Sequence, residues 1–396
     1  MMVTLTRKQP GCVRFHFLHA LAINQLKHKH LLRHPILFNV LVKRPIMSIT
    51  QLTLRSLVPG PRYRAFATSA RRDSTKAATM SQYETEHENQ TYVLPDGRRL
   101  GYAEYGPRNG RPLLCFHGYP SSRLEGEPLK TAAHARNIRI LSLERPGFGI
   151  SSPQPGRRIA DWPQDVHDFA KGMGLEKFAV LGGSGGGPYA LACATKDAPT
   201  RGMLTGVGLF ASAPPWSAGA HHMEAYRRWL VALGRRWPSA LAWLLRVTVR
   251  TINWIASWPS VQRRVDALLD VAKEKASGAK PDEMTPEAKA NRRERLLQLL
   301  MNEPFRQGPD AAVEEAKLLS APDWGFDYAD VSFAPVRIWH GGKDANSPVV
   351  MIRWLAERVP GSVLTVFEDD THYSMFPYFE RALDELVPPE GTEDQK

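Results

Sequence analysis

Cysteine is scarce in this sequence: Cys12, Cys115 and Cys193 are all there are in 396 residues. They fall in no metal-ligand spacing and are too few for a disulfide framework, which excludes a stapled mini-domain and a cysteine-based metal centre. Cys115 in an apolar run and Cys193 in a helix-like stretch are expected to be buried reduced thiols, as suits a reducing compartment. Acid is nearly missing from one end. Residues 1–80 hold 14 Lys and Arg against the single acid Asp73, whereas the rest carries 38 basic and 39 acidic residues. The net charge of +12 therefore belongs to the first 80 residues, and it gives no ground for treating the remainder as a nucleic-acid or membrane-surface binder. Long apolar runs are missing too: Lys27, His28, Lys29, His30, Arg33 and His34 break the early one, and Arg235, Arg236, Arg246 and Arg250 the later one. No transmembrane segment is expected where charges would sit at bilayer depth. Internal repeats and low-complexity tracts are absent.

What is present is enough for one large core, with 43% hydrophobic residues, or for a core domain with a sizeable insertion. Residues 1–80 are rich in Arg, Lys, Ser and Thr, the composition of a mitochondrial transit peptide. Arg64-Ala65-Phe66-Ala67-Thr68-Ser69 resembles a site trimmed by matrix proteases. Met80 also begins a plausible protein at Ser81-Gln82-Tyr83, which would leave the product in the cytoplasm.

Beyond the leader, Gln90–Leu94, a Pro95-Asp96-Gly97 turn and Arg98–Tyr105 predict a β-hairpin, since Asp-Gly supplies the positive φ that a tight turn needs. Apolar runs at Leu113–Phe116, Ile138–Leu143, Phe178–Leu181, Met203–Phe210, Val336–Trp339 and Val363–Phe367 then alternate with helical patterns. The helices are expected near Arg123–Arg136, Ala160–Met173, Gly187–Thr195, Val349–Val359 and Pro377–Leu386. Strands apolar on both faces and separated by helices predict a mostly parallel sheet covered on both sides. From Pro214 to Asp330 no strand is evident, and Trp229, Trp237, Trp243, Trp254 and Trp258 cluster there, so a helical insertion is expected. The organisation is then a leader over 1–80, a core built from 81–213 and 331–396, and a helical insertion over 214–330.

The strongest local signal is Gly182-Gly183-Ser184-Gly185-Gly186, a G-x-S-x-G between a strand and a helix. A serine held proud of a sheet edge needs a strained backbone, and side chains two positions to either side would collide. Gly185, Gly187 and Ala190 also fit a dinucleotide fingerprint, but that needs an acid closing the next strand, and Met203–Ala213 has none. Serine is a poor nucleophile without a base, and the base needs a group that fixes its tautomer. His372 follows the last strand in Asp369-Asp370-Thr371-His372 and is the expected base. His340 ends a strand and suits a structural role, while His221 and His222 fall in the insertion. Asp344, at the top of the penultimate strand, is the expected acid, and the stretch after Phe210 offers no competitor. The backbone N–H groups of Gly185 and Tyr119 are the expected oxyanion donors.

Together Phe116-His117-Gly118-Tyr119-Pro120, Glu144-Arg145-Pro146-Gly147-Phe148-Gly149, the Ser184 elbow leading into Pro188-Tyr189-Ala190-Leu191-Ala192, and the Asp344 and His372 loops resemble the serine-nucleophile branch of the α/β-hydrolase superfamily. The resemblance covers about Gln90 to Val387 and departs at Glu144, where many relatives carry Asp. It implies an α/β-hydrolase fold with an inserted helical cap, no metal or organic cofactor, and a Ser184–His372–Asp344 triad. It further implies cleavage of a carboxylic ester or thioester through an acyl-enzyme. An aminopeptidase or amidase, and a silent scaffold binding a ligand or partner, are the alternatives. The expected partner is a small ester-type substrate, not nucleic acid, and oligomeric state is left open. Residues 224–264 carry eight arginines and one acid, Glu224; they are expected to be solvated helix faces, with one or two lining the cleft to favour an anionic ester.

Overall fold

The computed structural model describes residues 87–277 and 284–389; the leader, with its Arg64–Ser69 motif, Met80 and Cys12, lies outside them. The strands are β1 Gln90–Val93, β2 Arg99–Tyr105, β3 Arg111–Phe116, β4 Ile138–Leu143, β5 Phe178–Gly183, β6 Leu204–Phe210, β7 Val336–Gly341 and β8 Val363–Phe367. The helices are α1 Lys130–Ala135, α2 Trp162–Gly172, α3 Gly187–Ala192, α4 Ala225–Arg236, α5 Pro238–Ala256, α6 Pro259–Ser277, α7 Pro286–Leu297, α8 Asp310–Leu319, α9 Val349–Ala356 and α10 Phe379–Leu386.

All eight strands form one sheet in the order β1-β2-β4-β3-β5-β6-β7-β8. β2 runs antiparallel to β1 and β4, and the strands from β4 to β8 are mutually parallel. The hairpin turns at Gly97, whose φ of 85° is open to glycine at little cost. Each parallel strand feeds both faces. On β3, Leu114 and Phe116 join a core with α2, α3 and α9, while Leu113 and Cys115 join a second core with α1 and α10. Alternation with period two thus explains why β3 is apolar throughout. Cys115 and Cys193 are both buried, and burial pushes both thiols up, away from the reactive thiolate.

Two local departures from the sequence pattern have plain causes. The pattern over Arg123–Arg136 resolves into a 3₁₀ helix, Arg123–Leu129, followed by α1, because Pro128 sits inside the first segment and lacks the N–H a continuous α-helix needs. β5 and β7 run on through the glycines that end their apolar runs, since Gly182 and Gly183 pair with Leu209 and Phe210 of β6, and Gly341 with Phe367 of β8. Sheet neighbours here override weak strand propensity.

The chain order reverses at β3, whose neighbours are β4 and β5, so the loops leaving β3 and β5 flank a topological switch point where ligands bind in open α/β sheets. Between β6 and β7 the chain makes a long excursion that contains α4 to α8 and no strand among the described residues.

Candidate active site

Ser184 follows β5 directly and opens the turn into α3, and its φ of 48° places a non-glycine residue in the left-handed region. Strain of this kind is held only where the surroundings over-determine it. Here the Ser184 carbonyl accepts from Ala213 N at 2.7 Å, tying the elbow to the end of β6. A Cβ on Gly182 would run into the Gly186 carbonyl, and one on Gly186 into that of Phe116. These clashes are the steric reason for glycine on both sides of the serine.

His372 sits on the loop after β8, and its Nε2 lies 3.1 Å from Ser184 Oγ. Its Nδ1 lies 2.7 Å from Asp344 Oδ2. A proton on Nδ1 donates to the carboxylate, leaving Nε2 free to accept from the hydroxyl. Asp344 is held in turn by the N–H groups of Asn346 and Ser347, which donate to Oδ1 at 2.7 and 2.8 Å. Burial alone would raise its carboxyl; the charge and hydrogen bond of His372, with His340 and the Ser347 N–H, outweigh that and hold it below the usual range. His340 is a buried structural histidine, with Nε2 2.7 Å from the Ser347 carbonyl and 3.5 Å from Asp344 Oδ2. Burial, its largest influence, lowers it against the opposing pull of Asp344 and the Ser347 carbonyl.

The loops carrying Asp344 and His372 are stitched together. Lys343 N donates to Asp370 O, Lys343 Nζ to Asp369, and Asn346 Nδ2 to the Tyr373 hydroxyl. Asp370 accepts from Ser374 Oγ at 2.6 Å, pinning the turn that contains His372.

Tyr119 and Gly185 also meet: a Cβ built on Gly185 would fall 3.1 Å from Tyr119 N. The Tyr119 backbone nitrogen therefore lies close to Gly185, the residue that follows Ser184. The conformation of that loop rests on Arg145 of the Glu144–Gly149 motif and on acids, Glu125 and Glu315, that no motif flagged. Arg145 donates to the carbonyls of His117 and Gly118, the latter at 2.8 Å, fixing the peptide planes before Tyr119. It forms an ion pair at 2.8 Å with Glu315 of α8, which also accepts from Arg157 at 2.6 Å and from the Tyr189 hydroxyl at 2.8 Å. Burial would raise the Glu315 carboxyl, yet Arg145 and Arg157 outweigh it and hold it below its ordinary range. Glu125 accepts from Gly118 N at 2.8 Å, and burial raises its carboxyl against the hydrogen bonds of Ser121 and Gly118 and the charges of Arg145 and His372. Only an acid shortly after the H-G-x-P loop could have hinted at Glu125; nothing local marks Glu315.

Glu144 is fully buried and bonds Arg123 at 2.9 Å, and Arg123 also meets Glu303 of the excursion at 2.6 Å. Glu144 further accepts from Ile150 N at 2.6 Å, shaping its own turn. Of the eight arginines between 224 and 264, Arg227 reaches the acid loop, donating to Asn346 Oδ1. Its charge is also felt at Tyr119. Among the described residues no group of His, Cys, Asp and Glu is placed to hold a metal ion.

Residues 113–388 match the Alpha/beta hydrolase family. A non-heme chloroperoxidase of Streptomyces lividans is 25% identical over 32% of this chain and 45% of its own length. A proline iminopeptidase of Xylella fastidiosa is 27% identical over 32% of this chain and 41% of its own. The chain thus spans less than half the length of these curated relatives. Two solved structures share the fold: a hydrolase from Pseudomonas aeruginosa, with TM-score 0.51, 19% identity and coverage of 76% of this chain and 98% of that one, and an esterase from Exiguobacterium antarcticum, with TM-score 0.51, 16% identity and coverage of 75% and 98%.

Proposed function

We propose that this chain, which belongs to the alpha/beta hydrolase family, is a serine hydrolase that cleaves carboxylic esters through an acyl-enzyme. The observation that supports it most is the continuous relay of hydroxyl, imidazole and carboxylate, 3.1 and 2.7 Å apart, at the carboxyl ends of β5, β7 and β8. In this reading His372 takes the Ser184 proton as Oγ attacks the ester carbonyl, and the Tyr119 and Gly185 N–H groups receive the oxyanion. Collapse of that intermediate breaks the carbonyl–alkoxy bond, and His372 returns the proton to the leaving alcohol. Water, activated by the same imidazole, then attacks the acyl-Ser184, and its second collapse restores the serine. Asp344 keeps the proton on Nδ1 and stabilises the imidazolium.

Hydrolysis of p-nitrophenyl esters by wild type, Ser184→Ala and His372→Ala tests this. Each variant should lose on the order of 10⁴- to 10⁶-fold in kcat; a Ser184→Ala enzyme that turns over at the wild-type rate ends the proposal. Arg227 supports a preference for esters bearing a carboxylate or phosphate, because it is a cation of α4 that reaches the Asp344 loop and whose hydrogen-bond partners, Asn346 and Tyr226, are neutral. For residues 1–80 the proposal is mitochondrial import, tested by fusing them to a fluorescent reporter, where a diffuse cytosolic signal rejects it.

A further inference from the structure

The outward face of the excursion between β6 and β7 is built unlike the rest of the surface. On α5, Trp243, Arg246, Val247, Arg250 and Trp254 recur at i, i+3, i+4, i+7 and i+11, which lines them up along one stripe of the helix. All five are exposed, Trp243 by 62% and Trp254 by 61%, while Leu241 and Ala242 are buried. Trp258 continues the stripe, with its ring edge-on to Trp254 at 4.8 Å. α4 presents Arg228, Trp229 and Arg236 on an exposed face of its own. Between them α4 and α5 carry six arginines and no acid.

Isolated exposed apolar residues need no explanation, but a file of exposed indoles set among cations that pair with no acid among the described residues does. Indole is the side chain that settles at the level of lipid headgroups, with its ring in the apolar zone and its N–H in the wet one. Arginine on the same stripe is drawn to anionic headgroups and can reach past the rings to meet them. We infer that the outward stripe of α5, extended by Trp258, is a docking surface for an anionic lipid bilayer, on which the protein lies without spanning it. Among the described residues no helix is long and apolar enough to cross a membrane. Charge argues against two other occupants. A second copy would set arginine stripes against each other across a twofold axis. Residues 1–80 carry a net charge of their own of the same sign, with 14 Lys and Arg against one acid. The surface is independent of Ser184.

The test uses the full chain carrying Ser184→Ala, so that binding is read without turnover, and vesicles of phosphatidylcholine brominated on its acyl chains, with or without phosphatidylglycerol. Residues 1–80 contain no tryptophan, so quenching of indole emission reports this surface even where the basic leader also binds. Quenching is expected with the anionic vesicles and not with the neutral ones. Trp243→Ser, Trp254→Ser and Trp258→Ser combined should remove most of it. Reversing Arg246 and Arg250 to Glu should raise the lipid concentration at half-quenching by about 25-fold or more, at roughly fivefold for each cation lost, while leaving the thermal melt unchanged. Wild-type emission indifferent to anionic vesicles, or quenching that persists in the triple tryptophan variant, would overturn the inference. So would indoles shielded from acrylamide in a stable dimer, or the same quenching produced by a single-stranded oligonucleotide in place of lipid.

Discussion

The excursion between β6 and β7 meets its surroundings in two opposite ways. Its later part, Glu303 and α8, goes into the protein by charge: Glu303 and Glu315 are buried against Arg123, Arg145 and Arg157. Its earlier part, α4 and α5, shows arginines and tryptophans to the outside and buries little beyond Gly234, Leu241 and Ala242. A buried carboxylate between two guanidiniums has few alternative positions, because any displacement strands charges away from water. An exposed stripe carries no such penalty. The difference teaches that one half of this segment is a fixed strut for the loop after β3, and the other is free to answer to something outside the molecule.

The comparison breaks first if the strut proves dispensable. Glu315→Gln leaves Arg145 and Arg157 without their anion and should cost about 3–5 kcal/mol in urea denaturation. Ester hydrolysis should fall with it, since Arg145 then loses the partner that holds it on the His117 and Gly118 carbonyls. The effect has a signed pH dependence. Because the Glu315 carboxyl lies below its ordinary value of 4.5 in the fold, its contribution is whole above about pH 4.5 and is lost as pH falls through the folded value. The gap between wild type and Glu315→Gln should therefore be constant near neutrality and narrow in acid; a gap that widens in acid contradicts the assignment.

Glu303→Gln should cost less, about 1–3 kcal/mol by the same titration, since Arg123 keeps Glu144 and the Glu88 carbonyl. Arg227→Gln sharpens the boundary between the two halves. Stability should hold while the ratio of anionic to neutral p-nitrophenyl ester hydrolysis falls several-fold, and an unchanged ratio removes Arg227 from substrate recognition. The smallest effect belongs to the free face: Trp243→Ser should change stability by no more than about 0.5 kcal/mol. A loss of 2 kcal/mol or more would mean that the stripe is packed and the comparison false.

The legible and illegible parts of the molecule divide along the same line. The six parallel strands could be read from apolar runs between turns, and β1 and β2 from alternation about the Asp96-Gly97 turn. Ser184 could be read because its strained φ imposes glycine at 182 and 186, so the steric constraint is itself written in the chain. His372 and Asp344 followed from their places after the last two strands, once His221, His222 and His340 and the acid-free stretch after Phe210 were set aside. Arg123 and Glu303 could not be paired this way, since they stand 180 positions apart and each looks like an ordinary surface charge until the fold removes the water. Glu315 was hidden for the same reason, and Glu125 because its partner is a backbone N–H that every residue but proline possesses. The eight arginines of 224–264 were visible as a cluster, but only the fold shows that Arg227 reaches Asn346 and Arg235 reaches Ser320.

The central claim is that Ser184 is an activated nucleophile, and the most direct measurement is the mass of the protein and its peptides after reaction with a fluorophosphonate. A single adduct on Ser184 is predicted, formed by wild type and lost in His372→Ala. A wild-type protein that stays unmodified, or one that carries the adduct on another residue, would contradict the account.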